Sequence, residues 1–176
     1  MESPVDLHQE VLPAIAECLL RRGWRMATAE SCTGGMIAAA CTDLAGSSRW
    51  FDGGLVTYAI PWKERLLGVE EETVRVHGVV SEAVVAQMLR GLRERHGVQA
   101  GVAVSGIAGP GGAEPGKPVG TVAVGAFAGE TAVVEMRHFA GDRGQVRQSA
   151  VECALGLLLR ILRAEEGGEA SSGVRK

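Results

Sequence analysis

The stretch Thr28 to Cys41, TAESCTGGMIAAAC, decides the fold. Arg25 to Ala29 is a short run able to form a strand, Gly34-Gly35 lets the backbone turn tightly, and Met36 to Cys41 has the small, aliphatic character of a buried helix. Glu30, Ser31 and Thr33 therefore fall at a strand-to-helix junction. Such a junction exposes side chains at the end of a sheet and aims unpaired backbone N–H groups at whatever binds there, which suits a nucleophile or an anion. The plainer reading is a capped helix start, since Ser and Thr cap helices widely.

The flanking segments build an alternating pattern around this unit. Leu12, Ile15, Ala16 and Leu19 lie at helical spacing in a helix that Gly23 stops, with Pro13 in its first turn or at a kink. After the turn-rich AGSSRW comes FDGGLVTYAI, read as a strand interrupted at Gly53-Gly54, and then a short helix from Pro61 to Gly68. Ser81 caps a long helix in which Val84, Val85, Met88, Leu89 and Leu92 share a face, with Gly97 past its end. AGVAVSG, a short apolar run followed by glycine, reads as a strand. Val119 to Ala128 and Thr131 to Phe139, separated by Gly129-Glu130, read as an antiparallel hairpin. A last helix spans about Gln145 to Leu162, and the polar AEEGGEASSGVRK is expected to be disordered. The pattern predicts an α/β fold with a mixed, mostly parallel sheet including one hairpin, as a single domain over residues 1–163 with a tail over 164–176.

Composition narrows the function. A chain of 176 residues, 46% hydrophobic, buries one sizeable core without a second domain. A net charge of -3 with scattered Lys and Arg lacks the basic footprint of nucleic-acid binding. The segment MESPVDLHQE is acidic without an apolar core and no run reaches membrane-spanning length, so neither a membrane nor a nucleic acid is expected as partner, and the location expected is cytoplasmic. The four cysteines, Cys18, Cys32, Cys41 and Cys153, form no C-x-x-C pair, and the four histidines are dispersed. No metal and no cofactor are expected.

Three further constellations can carry chemistry. SGIAGPGGAEPGKP, Ser105 to Pro118, follows a strand and can bring several backbone amides to a ligand. Gly111, Gly116 and Lys117 match the G-x-x-x-x-G-K spacing of a phosphate loop, but Pro118 stands where that motif needs Ser or Thr, and strand follows where it needs helix. A phosphate loop of that kind is rejected. Tyr58 and Lys63 bracket the end of the second strand and the next helix; a Ser nucleophile needs a base, no histidine is near, and burial lowers a lysine pKa towards neutrality. Cys32 competes with Ser31 as nucleophile, and spacing does not choose between them. Arg143 and Arg147, four apart, make a phosphate clamp if both are helical, or pair with Asp142 or a surface Glu.

AESCTGG, GGLVTYAIPWKERLLGV, HGVVSEAV, VSGIAGPGG with KPVGTV, and FAGDRGQVR, in that order, resemble the C-terminal domain family of the competence/damage-inducible protein CinA and its stand-alone nicotinamide-nucleotide amidohydrolases. The resemblance covers roughly residues 8 to 163. It implies a three-layer α/β/α fold and an amidohydrolase that deamidates nicotinamide mononucleotide, with Ser31 matching the nucleophile, Lys63 the base and Tyr58 a residue assisting them. Glu30, Thr33, Gly34 and Gly35, and Ser105, Gly106, Ile107, Ala108, Gly109 and Gly111, match segments lining the substrate site; Arg143 and Arg147 match its basic end. A homo-oligomer is implied as well. Cys32 stands where many members carry an aliphatic residue. A nucleotide-binding or partner module that keeps the pocket without turnover, and a thiol-dependent hydrolase using Cys32, remain as alternatives.

Overall fold

The computed structural model describes residues 7–172. A π-helical turn, Leu7–Val11, leads into α1 (Leu12–Arg22), which ends where Gly23 takes a left-handed conformation. There follow β1 (Met26–Glu30), α2 (Met36–Asp43), β2 (Phe51–Val56), α3 (Ile60–Leu67), α4 (Glu71–His77) and α5 (Glu82–His96). Strands β3 (Ala100–Gly106), β4 (Thr121–Ala128) and β5 (Thr131–His138) precede α6 (Arg143–Ser172).

The strands form one sheet in the order β2-β1-β3-β4-β5. β1 pairs in parallel with β2 and β3, whereas β3–β4 and β4–β5 are antiparallel. Only β4 therefore runs against the other four strands, and the hairpin expected from the sequence is β4–β5.

Alternation along the strands divides the core into two layers. Met26, Val102, Val104, Val122 and Val124 meet α1, α2 and α6 on one face, with Leu155, Leu158 and Leu162 of α6 fully buried there. Ala27, Ala29, Ala103, Ala123 and Phe127 meet α3 and α5 on the other. Each such buried leucine contributes on the order of 2 kcal/mol, so both helical layers are held chiefly by apolar burial.

Two expectations change, and one helix was not foreseen. Gly53 and Gly54 do not interrupt β2; the strand runs through them and ends at Val56, so Tyr58 lies beyond it. Gly54 is a packing requirement, because a Cβ there would sit 2.6 Å from Ala38 Cβ and 2.7 Å from Thr28 Oγ1. Helix α4 had no sequence reading, since its only apolar residues, Val74 and Val76, give no face to recognise. Finally, α6 continues beyond Leu162 to Ser172, where a disordered tail was expected from residue 164. Ala164 and Glu165 are sound helix formers, and Glu165 Oε1 accepts a hydrogen bond from Thr131 Oγ1 at 2.7 Å, which ties this turn to β5. Residues 173–176 of that tail lie outside the described residues.

Candidate active site

Ser31 is the first residue past β1, at the carboxyl end of the parallel strands. Its N–H still joins the sheet, donating to the Val104 carbonyl at 3.1 Å. The chain then reverses: Gly34 N–H donates to the Ser31 carbonyl at 3.1 Å, and Gly34 and Gly35 take φ values of 60° and 98°. A side chain at either position would strain the backbone, so the paired glycines fix the turn that carries Ser31.

Glu30 organises this turn and the helix start beyond it. It is fully buried, and its two oxygens accept five hydrogen bonds: Oε1 from Thr28 Oγ1 and Ala38 N–H, Oε2 from Thr33 Oγ1, Gly35 N–H and Ile37 N–H. The carboxylate thus caps α2 from inside the protein and has no capacity left for a substrate, contrary to its expected role in binding. Thr33 is fully buried too, its hydroxyl committed to Glu30 at 2.7 Å.

Lys63 reaches the same point from α3. Its side chain is fully buried, and Nζ lies 3.0 Å from Ser31 Oγ, with the carbonyls of Thr57 and Tyr58 as its other partners. Burial pushes its pKa down from 10.5 to about 8, although the neighbouring Cys32 thiol works in the opposite direction. Lysine and serine, 32 residues apart, therefore form one hydrogen-bonded pair.

Tyr58 enters this arrangement through its backbone. The residue is 62% exposed, and among the described residues no hydrogen bond joins its hydroxyl to Ser31 or Lys63. The reason is local: with its carbonyl turned towards Nζ at 3.2 Å, the residue sends its side chain outwards. Cys32 is buried at 5% exposure, and burial pushes its thiol up to about 11 despite its own N–H, Lys63 and Arg147. A protonated, buried thiol is a poor nucleophile.

The arginines and the glycine-rich loop meet on the α6 side. Asp142 and Gln145 cap α6 reciprocally, Gln145 N–H to Asp142 Oδ1 at 3.0 Å and Asp142 N–H to Gln145 Oε1 at 2.8 Å. Arg147 donates from Nε to the Cys32 carbonyl at 3.0 Å and from Nη2 to the Thr33 carbonyl at 2.9 Å, bracing the turn after Ser31. Arg143 donates to the Gly109 carbonyl at 2.7 Å and is otherwise exposed. Neither forms an ion pair among the described residues, so the alternative of pairing with Asp142 does not hold.

Ser105, Gly106 and Ile107 are structural in this arrangement. Ser105 Oγ donates to the Val79 carbonyl at 2.8 Å, Gly106 pairs with Val122, and Ile107 exchanges backbone hydrogen bonds with Thr121 and Gly120. Ala108 and Gly109 are buried, and their N–H groups meet no acceptor among the described residues. Gly111 is exposed in open space at the loop tip. Lys117 is held on the His77 carbonyl at 2.9 Å, with strand rather than helix following, which agrees with rejecting a phosphate loop.

Two contributions escaped the sequence reading. The carbonyls of Thr57 and Tyr58 are invisible to it because a backbone acceptor has no letter; the sealing of α2 by Glu30 had a weak signal, an acidic residue just before a turn that opens a helix.

The model of the CinA C-terminal domain matches residues 8–162. The chain belongs to the CinA C-terminal domain family. Among its relatives, the nicotinamide-nucleotide amidohydrolase PncC of Enterobacter agglomerans is 48% identical over 153 residues, 86% of this chain and 93% of that protein. A CinA-like protein of Syntrophobacter fumaroxidans is 46% identical over 148 residues, 84% of this chain; the chain spans 35% of that longer protein. The crystal structure of the CinA superfamily protein KP700603 from Klebsiella pneumoniae superposes with a TM-score of 0.84 at 38% identity, covering 90% of this chain and 99% of that one. A CinA superfamily protein from Enterobacter cloacae gives a TM-score of 0.87 at 33% identity, with 92% and 95% covered. The CinA C-terminal domain fold is thus the three-layer α/β/α arrangement described above.

Proposed function

We propose that the chain is an amidohydrolase that converts nicotinamide mononucleotide to nicotinate mononucleotide and ammonia, in pyridine-nucleotide recycling in the cytoplasm. The observation that carries it is the fully buried Lys63 Nζ, 3.0 Å from Ser31 Oγ. Relatives of similar length named nicotinamide-nucleotide amidohydrolase supply the substrate.

Carbonyl groups only accept hydrogen bonds, and this gives the lysine a direction. When Lys63 is neutral, its two N–H groups go to the Thr57 and Tyr58 carbonyls and its lone pair is left facing the Ser31 hydroxyl. Ser31 Oγ then attacks the carboxamide carbon as its proton passes to Nζ. The C–N bond breaks when Lys63 returns that proton to the amide nitrogen, which leaves as ammonia. A water attacks the resulting ester, gives its proton to Lys63, and Ser31 recovers a proton as the acid departs.

The negative charge on the carboxamide oxygen needs a donor. Gly34 and Gly35 N–H groups are taken by the Ser31 carbonyl and Glu30; Thr33 N–H has no acceptor among the described residues and is assigned the role. The substrate phosphate is assigned to Arg143 with the free N–H groups of Ala108 and Gly109. No metal or cofactor takes part, so activity is expected to survive exhaustive chelation. A homo-oligomer is also proposed, supported by the exposed run Val56, Tyr58, Ile60 and Trp62 on and beside the edge strand β2; light scattering tests it.

Ammonia release from nicotinamide mononucleotide, compared in wild type, Ser31→Ala and Lys63→Met, tests the reaction. Turnover by wild type alone is expected. Wild-type binding of the nucleotide without ammonia release would leave a binding module instead.

A further inference from the structure

We infer that Glu30 is a positioning residue whose buried hydrogen bonds hold Thr33 N–H as the oxyanion donor and close the start of α2 to the substrate's phosphate. The inference rests on the amidohydrolase reading and concerns how its site is built.

A helix start following a strand and a glycine turn ordinarily offers its free N–H groups to an anionic ligand. Here that position is filled from within. Glu30 takes the N–H groups of Gly35, Ile37 and Ala38, while Met36 N–H donates to the Thr33 carbonyl at 3.3 Å. No donor of the first helical turn is left for a phosphate. The nucleotide's phosphate must then be held elsewhere, and Arg143 and the Ala108 and Gly109 amides keep N–H groups without an acceptor among the described residues.

The same carboxylate selects the one free donor of the turn. Thr33 is fully buried and held from both sides: its hydroxyl donates to Glu30 Oε2 at 2.7 Å, and its carbonyl accepts from Arg147 Nη2 at 2.9 Å and from Met36 N–H. With side chain and carbonyl fixed, the peptide N–H between Cys32 and Thr33 has a fixed direction as well. A buried N–H without an acceptor is rare in folded proteins and calls for a reason. Two residues from the Ser31 nucleophile, an oxygen that gains negative charge during the reaction supplies one. Preorganised donors of this kind stabilise the transition state more than the bound substrate, so the hydroxyl of Thr33 should matter to kcat rather than to KM.

Thr33→Val removes one donor to Glu30 at nearly constant volume, and Thr33→Ser keeps it. Ser81→Ala, which removes the hydroxyl that caps α5 far from the turn, serves as a stability control. With nicotinamide mononucleotide as substrate, Thr33→Val is expected to lose roughly 10- to 100-fold in kcat with KM within about twofold, while Thr33→Ser stays near wild type. Ser81→Ala should lower Tm comparably and leave kcat unchanged. A pyridine-3-boronate probe, which forms a tetrahedral adduct on a serine, should bind Thr33→Val more weakly by a similar factor.

If Thr33→Val does not fold, the wild type alone suffices. The Thr33 amide proton should move downfield in an NMR titration with the boronate. An unmoved Thr33 amide on adduct formation, or a folded Thr33→Val enzyme with wild-type kcat, overturns the inference. Absence of wild-type ammonia release would instead overturn the underlying reading of the reaction.

Discussion

Replacing Lys63 with Met should change the way stability depends on pH, by an amount set by the burial of one ammonium group. In the unfolded chain Lys63 keeps its proton up to about pH 10.5, whereas in the folded protein burial pushes the pKa down to about 8. Between these values the unfolded state binds more protons, so stability rises with pH across the window; below pH 8 the full penalty is present, and above 10.5 it is gone. At about 1.4 kcal/mol per pH unit, the gap between about 8 and 10.5 amounts to about 3 kcal/mol. Lys63→Met also strips a donor from the Thr57 and Tyr58 carbonyls, but that loss does not vary with pH. The buried Cys32 and Cys41 thiols and the half-buried Cys153 thiol act in the opposite direction: their raised pKa values mean that folded protein keeps protons the unfolded chain loses, so stability falls above about pH 9. Both proteins carry these thiols, so subtraction cancels Cys41 and Cys153 and leaves of Cys32 only the part that the Lys63 charge itself influences. Urea denaturation from pH 7.5 to 10.5 should therefore show wild type gaining about 3 kcal/mol relative to Lys63→Met. A difference that stays flat within about 0.5 kcal/mol would mean that Lys63 does not titrate near 8, and the neutral-base mechanism would fail with it.

The same pKa sets the rate: kcat/KM for nicotinamide mononucleotide should rise about tenfold per pH unit below pH 8 and level off above it, a profile that a pH-stat series measures directly. Cys32→Ala should keep kcat within about twofold, because a thiol pushed up to about 11 does not supply the nucleophile; loss of turnover with a normal Tm would reinstate the thiol. Arg143→Ala should raise KM for the nucleotide roughly 10- to 100-fold, whereas Arg147→Ala, which unbraces the Cys32 and Thr33 carbonyls, should act mainly on kcat; steady-state kinetics of the two variants separates these roles. Gly91→Ala would place a Cβ 2.1 Å from the Leu67 carbonyl oxygen and push α3 off α5. A loss of about 3 kcal/mol, a Tm fall of roughly 6 to 12 °C, is expected by calorimetry, with lower kcat because α3 carries Lys63.

By itself the sequence determined the elements whose signals are local. Hydrophobic spacing and a glycine stop located α1 and α5, the Ser81 cap placed the start of α5, and the glycine pair after Ser31 marked the turn between β1 and α2. It also supplied the candidate chemistry, Ser31, Lys63 and the two arginines, because each residue type has few uses at such a junction. Tertiary structure alone decided which of these groups meet. That Lys63 faces Ser31 is a result of β2 pairing beside β1 and α3 packing on α5, contacts between segments that are distant along the chain. Whether Glu30 would face the ligand or seal α2, and whether Tyr58 would act through its ring or its carbonyl, depended on side-chain direction at the ends of two strands, where the alternation that governs a strand interior stops. The placement of Ser31 and Cys32 was decided in the same way: adjacent residues on a turn point apart, and packing put the hydroxyl against the amine and the thiol into the core.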